Sequence, residues 1–368
     1  MRAKYLTLSA ALLALGLAAC SSQALPLDEI VLPNGFRIDV YAANVPDARS
    51  LALGDRGTVF VSTRKRGELY ALRDSNGDQR ADQRFLLAQD LNTPNGIAFH
   101  KGDLYVATRE QILRFPGIEN RLDNPPAPIV VADGFPSESA HGWRYLGIGP
   151  DEKLYVAIGA PCNICDRKGF ANIVRLDLDG GNREIYAHGV RNSVGLTWHP
   201  QTGELWFTDN GRDMLGDDLP PDELNRAPRP GLHFGYPYCH GNDIRDPEFG
   251  RGQDCSSYVR PVQLLGPHVA ALGLTFYTGK MFPQQYRGDL FIAEHGSWNR
   301  SEKIGYRVTR VRLNERDQPI AYEPFATGWL RGQEVWGRPV DVLVMPDGAL
   351  LVSDDYAGVV YRISYQEE

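Results

Sequence analysis

Short alternations of hydrophobic and polar residues recur along the chain, and each begins at a small turn. The common unit has the form G-x-L-x-V, and a second alternating stretch follows it. A period of two predicts half-buried β-strands, with the glycines marking tight turns. After residue 24 no stretch places apolar residues at the spacing of an amphipathic helix. The copies begin at Gly57, Gly102, Glu152, Gly203, Gly288 and Gly348.

The spacing of these copies predicts the architecture. Their apolar anchors recur about every 45 to 60 residues, with one gap of about 85, which is typical of a β-propeller. We therefore predict an all-β fold of six four-stranded antiparallel blades in one domain, residues 30–368. Residues 30–45 are expected to close the ring against the last blade. The long gap predicts an inserted loop over about residues 210–270, and long loops are usually functional. The anchors are Phe60, Tyr105, Tyr155, Trp206, Phe291 and Leu351.

One copy carries a histidine at its mouth. Residues 138–159 place a polar loop with His141 before a hairpin that turns at residues 150–152. A neutral imidazole on a loop can accept a proton at neutral pH, so His141 is a candidate base. A lone histidine is more often a surface or capping residue, and this alternative stays open.

The composition is that of an ordinary soluble chain. It has 368 residues, 42% of them hydrophobic, and a formal net charge of −7. Because the chain is mildly acidic and shows no basic stripe, we expect no nucleic-acid partner.

The N-terminal segment predicts export. Arg2 and Lys4 precede an apolar run that is too short to span a membrane, which indicates a signal peptide over residues 1–19. Cys20 directly follows Leu-Ala-Ala, as in bacterial lipoprotein signals, so we expect a lipid on Cys20 and a tether over residues 20–29. The two serines that follow favour periplasmic anchoring to the outer membrane. An ordinary signal peptide with a nearby cysteine is the alternative.

The remaining cysteines indicate disulfides, because an exported chain meets an oxidising compartment. The simplest pairing joins Cys162 to Cys165 and Cys239 to Cys255, each closing a local loop. A metal site at Cys162 and Cys165 is the alternative, although no second pair lies at zinc spacing.

Polar clusters at strand ends are the other candidates for chemistry. Arg191 offers a planar fork for carboxylates, and Asn192 offers both donors and an acceptor. Acidic, glycine-rich segments at 208–212, 221–225 and 233–237 supply the hard oxygen ligands that calcium prefers. Taken singly, each cluster could be a turn or a surface salt bridge. Further cations at strand ends are His295, Arg300 and Arg338.

Together these motifs resemble the soluble pyrroloquinoline-quinone-dependent sugar dehydrogenases, in particular the sorbosone and aldose sugar dehydrogenase branch. The shared phrases are H-G-x-x-x-x-x-I-G-P-D, G-x-R-N-x-x-G-L, D-E-L-N followed by F-G-Y-P, and G-R-P-V-D-V. They occur in family order over about residues 30–365. The resemblance implies oxidation of a sugar, with proton abstraction by a histidine and hydride transfer to the quinone.

The resemblance also implies a role for individual residues. His141 matches the catalytic base. Arg191 and Asn192 match residues that hold the quinone at its reactive carbonyl, and Arg338 matches an arginine on the cofactor's carboxylates. A calcium ion is implied as well. Its ligands would be the Glu223 side chain and the backbone carbonyls of Gly211, Arg212 and Phe234.

Three positions depart from the family pattern. The lysine expected on the cofactor after the fifth repeat is missing, and the candidates to replace it are His295, Arg300 and Lys303. Ala140 stands where an acidic residue would precede the base, and Val340 stands where a second arginine is expected.

Two other functions stay open at this point. One is a calcium-dependent hydrolase of the lactonase type, which would draw acidic and Asn ligands from several blades. The other is a non-catalytic propeller that binds a partner on the cell envelope. A dehydrogenase would in addition need an electron acceptor, either a quinone or a cytochrome. Residues 74–82 resemble the start of a calcium loop, and a metal-free turn fits that segment equally well.

Overall fold

Each G-x-L-x-V unit forms the second strand of a four-stranded antiparallel sheet. Six such sheets form the blades of a β-propeller in the computed structural model, which describes residues 25–367. The first strands of neighbouring blades contact one another around the centre. The predicted fold class is therefore confirmed. The predicted signal peptide and Cys20 lie outside the described residues.

The first half of the ring follows the predicted repeats. Strand β1 is Phe36–Ala42. Blade one contains β2 to β5, at Leu51–Leu53, Val59–Ser62, Leu69–Arg73 and Gln83–Ala88. Blade two contains β6 to β9, at Gly96–His100, Asp103–Ala107, Ile112–Phe115 and Ile129–Ala132. Blade three contains β10 to β13, at Leu146–Ile148, Lys153–Ile158, Asn172–Asp177 and Glu184–His188.

The second half carries short additional strands. Blade four begins with β14 to β16, at Leu196–Trp198, Leu205–Asp209 and Pro221–Ala227. Next come β17, which adds to β13 in parallel, and the β18–β19 hairpin, at Leu232–His233, Cys239–His240 and Ile244–Arg245. Strand β20, Gln263–Pro267, completes blade four. Blade five contains β21 to β24, at Ala271–Phe276, Leu290–Glu294, Arg307–Leu313 and Pro319–Ala326.

The last blade joins the two ends of the domain. A hairpin of β25 and β26, at Leu330–Arg331 and Glu334–Val335, precedes β27 to β29, at Pro339–Val344, Leu350–Asp354 and Val359–Tyr365. Strand β1 pairs with β29, so that Phe36 lies opposite Tyr365. The predicted closure is confirmed, and β1 is the strand that provides it. Single 3-10 turns occur at Leu27–Glu29, Ile118–Asn120, Cys255–Ser257 and Gln284–Tyr286.

The inserted loop predicted over residues 210–270 is shorter than expected, because blade four uses part of that segment. Strands β16 and β20 lie inside it. The sequence of β16, PDELNRA, lacks hydrophobic alternation, since Asp222, Glu223 and Asn225 are buried together with Leu224. A strand with buried polar side chains does not produce the pattern on which the prediction rested.

Large side chains fill the spaces between blades. Trp206 of β15 is fully buried and packs edge-on against Phe276 of β21, with ring centroids 5.6 Å apart. This contact joins blades four and five through apolar surface. Among residues 25–367 no helix is long and apolar enough to cross a membrane.

Candidate functional site

A cavity of about 270 Å³ opens at one end of the ring centre. The first and second strands of a blade are antiparallel, so residues before the first strand and after the second reach the same end. Arg49 precedes β2 and Arg64 follows β3, for example. Residues at these positions from several blades line the cavity, among them Arg49, Arg64, His141, Arg191, Asn192, Gly211, His295 and Arg338.

The charges around the cavity favour an anionic ligand. Four guanidinium groups line it, and they face two carboxylates, Asp213 and Asp222. Guanidinium forks bind carboxylates in bidentate fashion and stay charged when buried. A concave site with convergent cations is the best candidate for ligand binding among the described residues.

One hydrogen bond fixes the tautomer of the His141 ring. Its Nδ1 lies 2.7 Å from the carbonyl oxygen of Ala160, and because a carbonyl can only accept, Nδ1 carries the proton. Nε2 is then the unprotonated nitrogen. Burial, followed by the charge of Arg191, lowers the pKa of His141 to about 4, although the bond to Ala160 partly opposes this. The imidazole is therefore neutral at physiological pH.

The backbone at His141 is strained, and two neighbours accommodate it. The residue has φ +46°, in the left-handed region. A Cβ on Gly159 would lie 2.5 Å from the Cβ of His141, so only glycine leaves room for the ring there. Arg144 fixes the loop from behind by donating to the carbonyls of His141, Arg109 and Pro136. No local sequence pattern marked Arg144, which lies within the predicted strand.

Arg191 donates hydrogen bonds with all three guanidinium nitrogens. Nε and Nη2 donate to the backbone and side-chain oxygens of Asn163 at 2.9 and 3.0 Å. Nη1 donates to the carbonyls of Gly211, at 2.7 Å, and Asn210, at 3.1 Å. Asp213 is a further partner of Nη2 at 3.4 Å. The guanidinium is thus fixed at the cavity wall.

Asp209 fixes the backbone of Arg191 and Asn192. Its carboxylate accepts the backbone N–H groups of Arg191 and Asn192 at 2.8 and 2.6 Å. Burial raises its pKa to about 7, although these hydrogen bonds oppose the shift. His141, Arg191 and Asn192 all line one cavity.

A second polar cluster, with two arginines, lies at the cavity wall. Burial lowers the pKa of its histidine, His295, to about 4, although Asp355 partly opposes this. Asp355 accepts from His295 Nε2 at 2.8 Å and from Arg49 Nη1 at 3.0 Å. Burial favours protonation of Asp355, but His295, Arg49 and Arg338 outweigh it and hold its pKa well below the usual range. Arg338 donates to the carbonyls of His295 and Gly296 at 3.0 and 3.2 Å. Arg338 and His295 therefore lie beside each other at the cavity wall.

Two candidates for the missing lysine lie away from the cavity. The Arg300 guanidinium contacts the Asp217 carbonyl and lies 3.4 Å from the Asp218 carboxylate. Lys303 Nζ donates to the carbonyl of Gln333 at 2.6 Å. Neither lines the cavity, whereas His295 does.

The predicted calcium ligands lie beside the cavity, around the β15–β16 pair. Glu223 is buried opposite Asp209, and its carboxylate accepts from Gly241 N at 2.7 Å and Asn225 Nδ2 at 3.0 Å. Burial, followed by Asp209, raises its pKa to about 8. Gly211 lines the cavity, and its carbonyl accepts from Arg191. Among residues 25–367 no three His, Cys, Asp or Glu side chains converge as a metal site.

The other two predicted ligands would act through their backbone carbonyls. The Arg212 side chain is occupied by Asp246, 2.6 Å away, and Glu248, 3.1 Å away. Phe234 packs edge-on against Phe207 of β15, with centroids 4.9 Å apart. Both therefore lie on segments that flank β15, as a shared site near its end requires.

The predicted disulfides are confirmed. Cys162 is bonded to Cys165 and Cys239 to Cys255. In the segment 74–82, the Asp74 carboxylate accepts the backbone N–H groups of Gly77 and Gln79 at 2.7 and 2.8 Å, which is the geometry of a self-contained turn.

The sequence pattern of the TrAA12-like family matches residues 30–366. The chain belongs to the TrAA12-like family. An uncharacterized protein of Borreliella burgdorferi is 31% identical over 351 residues, covering 91% of each chain. A pyrroloquinoline quinone-dependent pyranose dehydrogenase of Coprinopsis cinerea is 23% identical over 419 residues. The aligned residues cover 94% of this chain and 56% of that protein.

A solved structure supports the fold of this TrAA12-like chain. The family AA12 carbohydrate-active enzyme of Trichoderma reesei superimposes with a TM-score of 0.81 at 19% identity, covering 92% of this chain and 98% of that one. The resemblance to quinone-dependent sugar dehydrogenases is thus confirmed at the level of the family.

Two arginines of the cavity and one carboxylate beside it belong to none of the motifs recognised in the sequence. Arg49 precedes a first strand, as Arg191 and Arg338 do, and Arg64 follows a second strand, as His295 does. The position of Arg49 before a first strand and of Arg64 after a second strand was therefore the sequence signal that could have identified both arginines. Asp355 follows β28 at the same end of blade six. The two extra arginines supply positive charge that Val340 does not.

Proposed function

We propose that the protein oxidises an aldose or a sugar aldehyde with pyrroloquinoline quinone as cofactor. The observation that carries this proposal is the cavity in which four arginines surround a histidine held neutral. Pyranose dehydrogenase activity with this quinone, named for the Coprinopsis cinerea relative, supports the same conclusion.

The residues present fit the cofactor. It is a tricarboxylate, and the cavity offers Arg338, Arg49 and Arg64 on one side, with Arg191 and Asn192 on the other. Guanidinium groups bind carboxylates, and the amide of Asn192 can donate to a carbonyl oxygen. When bound, the quinone supplies the acceptor for a hydride from the sugar carbon. Among residues 25–367 the buried Asn299 side-chain oxygen has no hydrogen-bond partner, and Asn299 lines the cavity wall.

His141 acts as the general base in this proposal. Its Nε2 takes the proton of the anomeric hydroxyl, while Nδ1–H stays on the Ala160 carbonyl and keeps the ring in one orientation. A pKa of about 4 keeps Nε2 available above pH 5. Arg144 preserves the geometry by fixing the loop that carries the base.

We further propose a calcium ion bound by Glu223 and by the carbonyls of Gly211, Arg212 and Phe234. Carboxylate and carbonyl oxygens are the ligands that calcium prefers. Glu223 and Asp209 are buried opposite each other, and a cation would offset the repulsion that their ionisation creates. Calcium would also compete with Arg191 for the Gly211 carbonyl.

The proposed setting is the periplasm, with a lipid on Cys20 that anchors the enzyme to the outer membrane. A quinone or a cytochrome would receive the electrons there. The Cys20→Ser variant should then leave the membrane fraction and fail to incorporate labelled palmitate. Palmitate incorporation that does not depend on Cys20 would contradict the anchor.

The arginine-rich cavity also bears on the alternative of a calcium-centred hydrolase. Four guanidinium groups around the cavity weaken the binding of a catalytic cation at its centre and strengthen the binding of an anion. The dehydrogenase is therefore the function that the geometry supports best.

A reconstitution assay tests the proposal. Purified protein receives calcium and pyrroloquinoline quinone, and reduction of an artificial dye is followed with a panel of aldoses. His141→Ala should lose activity by about 100-fold or more. His100→Ala, at the opposite end of blade two, is the matched control and should not. Failure of the protein to bind the quinone at any calcium concentration would refute the dehydrogenase function. The hydrolase and the non-catalytic binding propeller would then remain.

A further inference from the structure

The small ring closed by Cys162 and Cys165 holds an asparagine against the cavity arginine. Asn163 lies inside this ring. Its backbone oxygen accepts from Arg191 Nε at 2.9 Å, and its side-chain oxygen accepts from Arg191 Nη2 at 3.0 Å. One residue therefore supplies two acceptors that fix the plane of the guanidinium, in the bidentate geometry that arginine favours.

Asn163 is in turn fixed by the opposite loop. Its side-chain oxygen accepts from Asp213 N at 2.7 Å, and its Nδ2 donates to the Asp213 carbonyl at 3.0 Å. The Asp213 carboxylate lines the cavity and also approaches Arg191. The amide of Asn163 thus connects the loop after blade three's second strand with the loop after blade four's second strand.

The ring itself is anchored on both sides. The Ala160 backbone donates to the Arg191 carbonyl at 2.8 Å, just before the ring. The Tyr236 hydroxyl accepts from Cys165 N at 3.0 Å and lies 3.6 Å from Cys162 Sγ. A ring this small fixes the backbone of Asn163, so its carbonyl keeps the direction that Arg191 requires.

The two disulfides differ in their access to reductant. Cys239 and Cys255 are buried, at 5% and 6% exposure. Cys162 and Cys165 are only partly buried. A thiolate must reach a sulfur to open a disulfide, so the ring beside the cavity opens first.

We propose that Asn163 is a positioning residue for Arg191 and that the Cys162–Cys165 disulfide makes this positioning sensitive to redox conditions. A dithiol reductant would open the ring, becoming a disulfide itself while both cysteines take up hydrogen. The backbone of Asn163 would then no longer be fixed. The guanidinium plane of Arg191 would no longer be held in one orientation. The consequence for cofactor binding rests on the proposed function, whereas the positioning of Arg191 does not.

The first test is carried out without cofactor. Nitrogen-15 NMR of arginine-labelled protein should show a sharp, slowly exchanging Arg191 Nη2–H signal, because Asn163 Oδ1 accepts from this nitrogen. The signal is assigned by its absence in Arg191→Lys. Asn163→Ala should broaden or remove that signal. Asn163→Asp, which retains the acceptor oxygens, should keep it. Asn314→Ala, which removes a half-buried asparagine with side-chain bonds in the distant β23–β24 turn, is the matched control.

The second test measures redox sensitivity. Mild dithiothreitol followed by alkylation and mass spectrometry should label Cys162 and Cys165 before Cys239 and Cys255. The Arg191 signal should be lost in parallel with that labelling. Cys162→Ser/Cys165→Ser should behave as the reduced protein does, and its far-ultraviolet spectrum shows whether the fold is retained.

The third test is a quinone titration. Asn163→Ala should raise the dissociation constant of pyrroloquinoline quinone about tenfold or more, since a charged group loses an acceptor that orients it. An unchanged Arg191 signal in Asn163→Ala and in the reduced protein would overturn the inference. Loss of that signal in a protein that binds no quinone would uphold the positioning and refute the proposed function instead.

Discussion

His295 and Asp355 are joined by a 2.8 Å hydrogen bond between Nε2 and Oδ1 at the edge of the cavity. The same carboxylate compensates the charge of Arg49, which is 1% exposed. One aspartate thereby keeps an imidazole and a guanidinium in place for a ligand. His295 was a candidate from the sequence, whereas no motif pointed to its partner Asp355.

Asp355→Asn should therefore destabilise the protein. The amide keeps the shape but leaves Arg49 as a buried, uncompensated charge, so we expect a loss of about 3 kcal/mol in the free energy of unfolding by urea. Asp317→Asn is the matched control, because Asp317 pairs with His199 at 3.0 Å but is 29% exposed. Its loss should stay below about 1 kcal/mol. Equal losses would mean that Asp355 is not the compensating charge.

The pKa of His141 should depend on Arg191. Burial and then the Arg191 charge lower this pKa to about 4. Removing the cation makes the imidazolium less unfavourable, so Arg191→Gln should move the titration upward, toward the ordinary value of about 6.5. Proton NMR of the His141 ring between pH 3.5 and 8 measures this without cofactor. An unchanged midpoint would show that the charge of Arg191 does not affect the pKa of His141.

The same shift sets the pH dependence of activity. Because His141 must be unprotonated to act as base, kcat/KM should rise with pH through about 4 and stay level between pH 5 and 7. An acidic limb centred near 6.5 would show that the base is solvated in the working enzyme.

Arg338 and Arg300 should differ in their effect on quinone binding. Arg338 lines the cavity, whereas Arg300 is directed toward Asp217 and Asp218 outside it. Loss of a charged hydrogen-bond donor costs about 10-fold to 100-fold in affinity, so Arg338→Gln should weaken binding by this factor. Arg300→Gln should change it less than about twofold. A larger effect from Arg300 would restore it as the replacement for the missing lysine.

Calcium should stabilise the protein through Glu223. Differential scanning calorimetry should show a Tm that rises with calcium concentration, because a ligand of the folded state alone shifts the equilibrium. Glu223→Gln should reduce that rise without abolishing folding, since the amide still accepts from Gly241. A calcium response that survives Glu223→Gln unchanged would place the ion elsewhere.

The strands that could be predicted from the sequence are those with one clear apolar face. The second and third strands of the blades, such as Asp103–Ala107 and Ile112–Phe115, alternate and were found. First strands such as Leu51–Leu53 have three residues, too few for a period to appear. Strand Pro221–Ala227 was mistaken for a loop because its buried face is polar.

The site was predictable where residues lie in recognisable phrases. His141, Arg191, Asn192 and Arg338 come from such phrases and line one cavity. Arg49 and Asp355 come from opposite ends of the chain and meet only because the ring closes. No local pattern reports a contact between residues so far apart.

The pairing of β1 with β29 also determines when this chain can fold. Phe36 can pair with Tyr365 only after all six blades have been synthesised. Until then both β1 and β28 present unpaired edges, which other chains can join. The closing contact spans almost the full sequence, so its loop entropy must be overcome last. The ring therefore closes only after β29 has been synthesised, and nascent chains need protection from association until then.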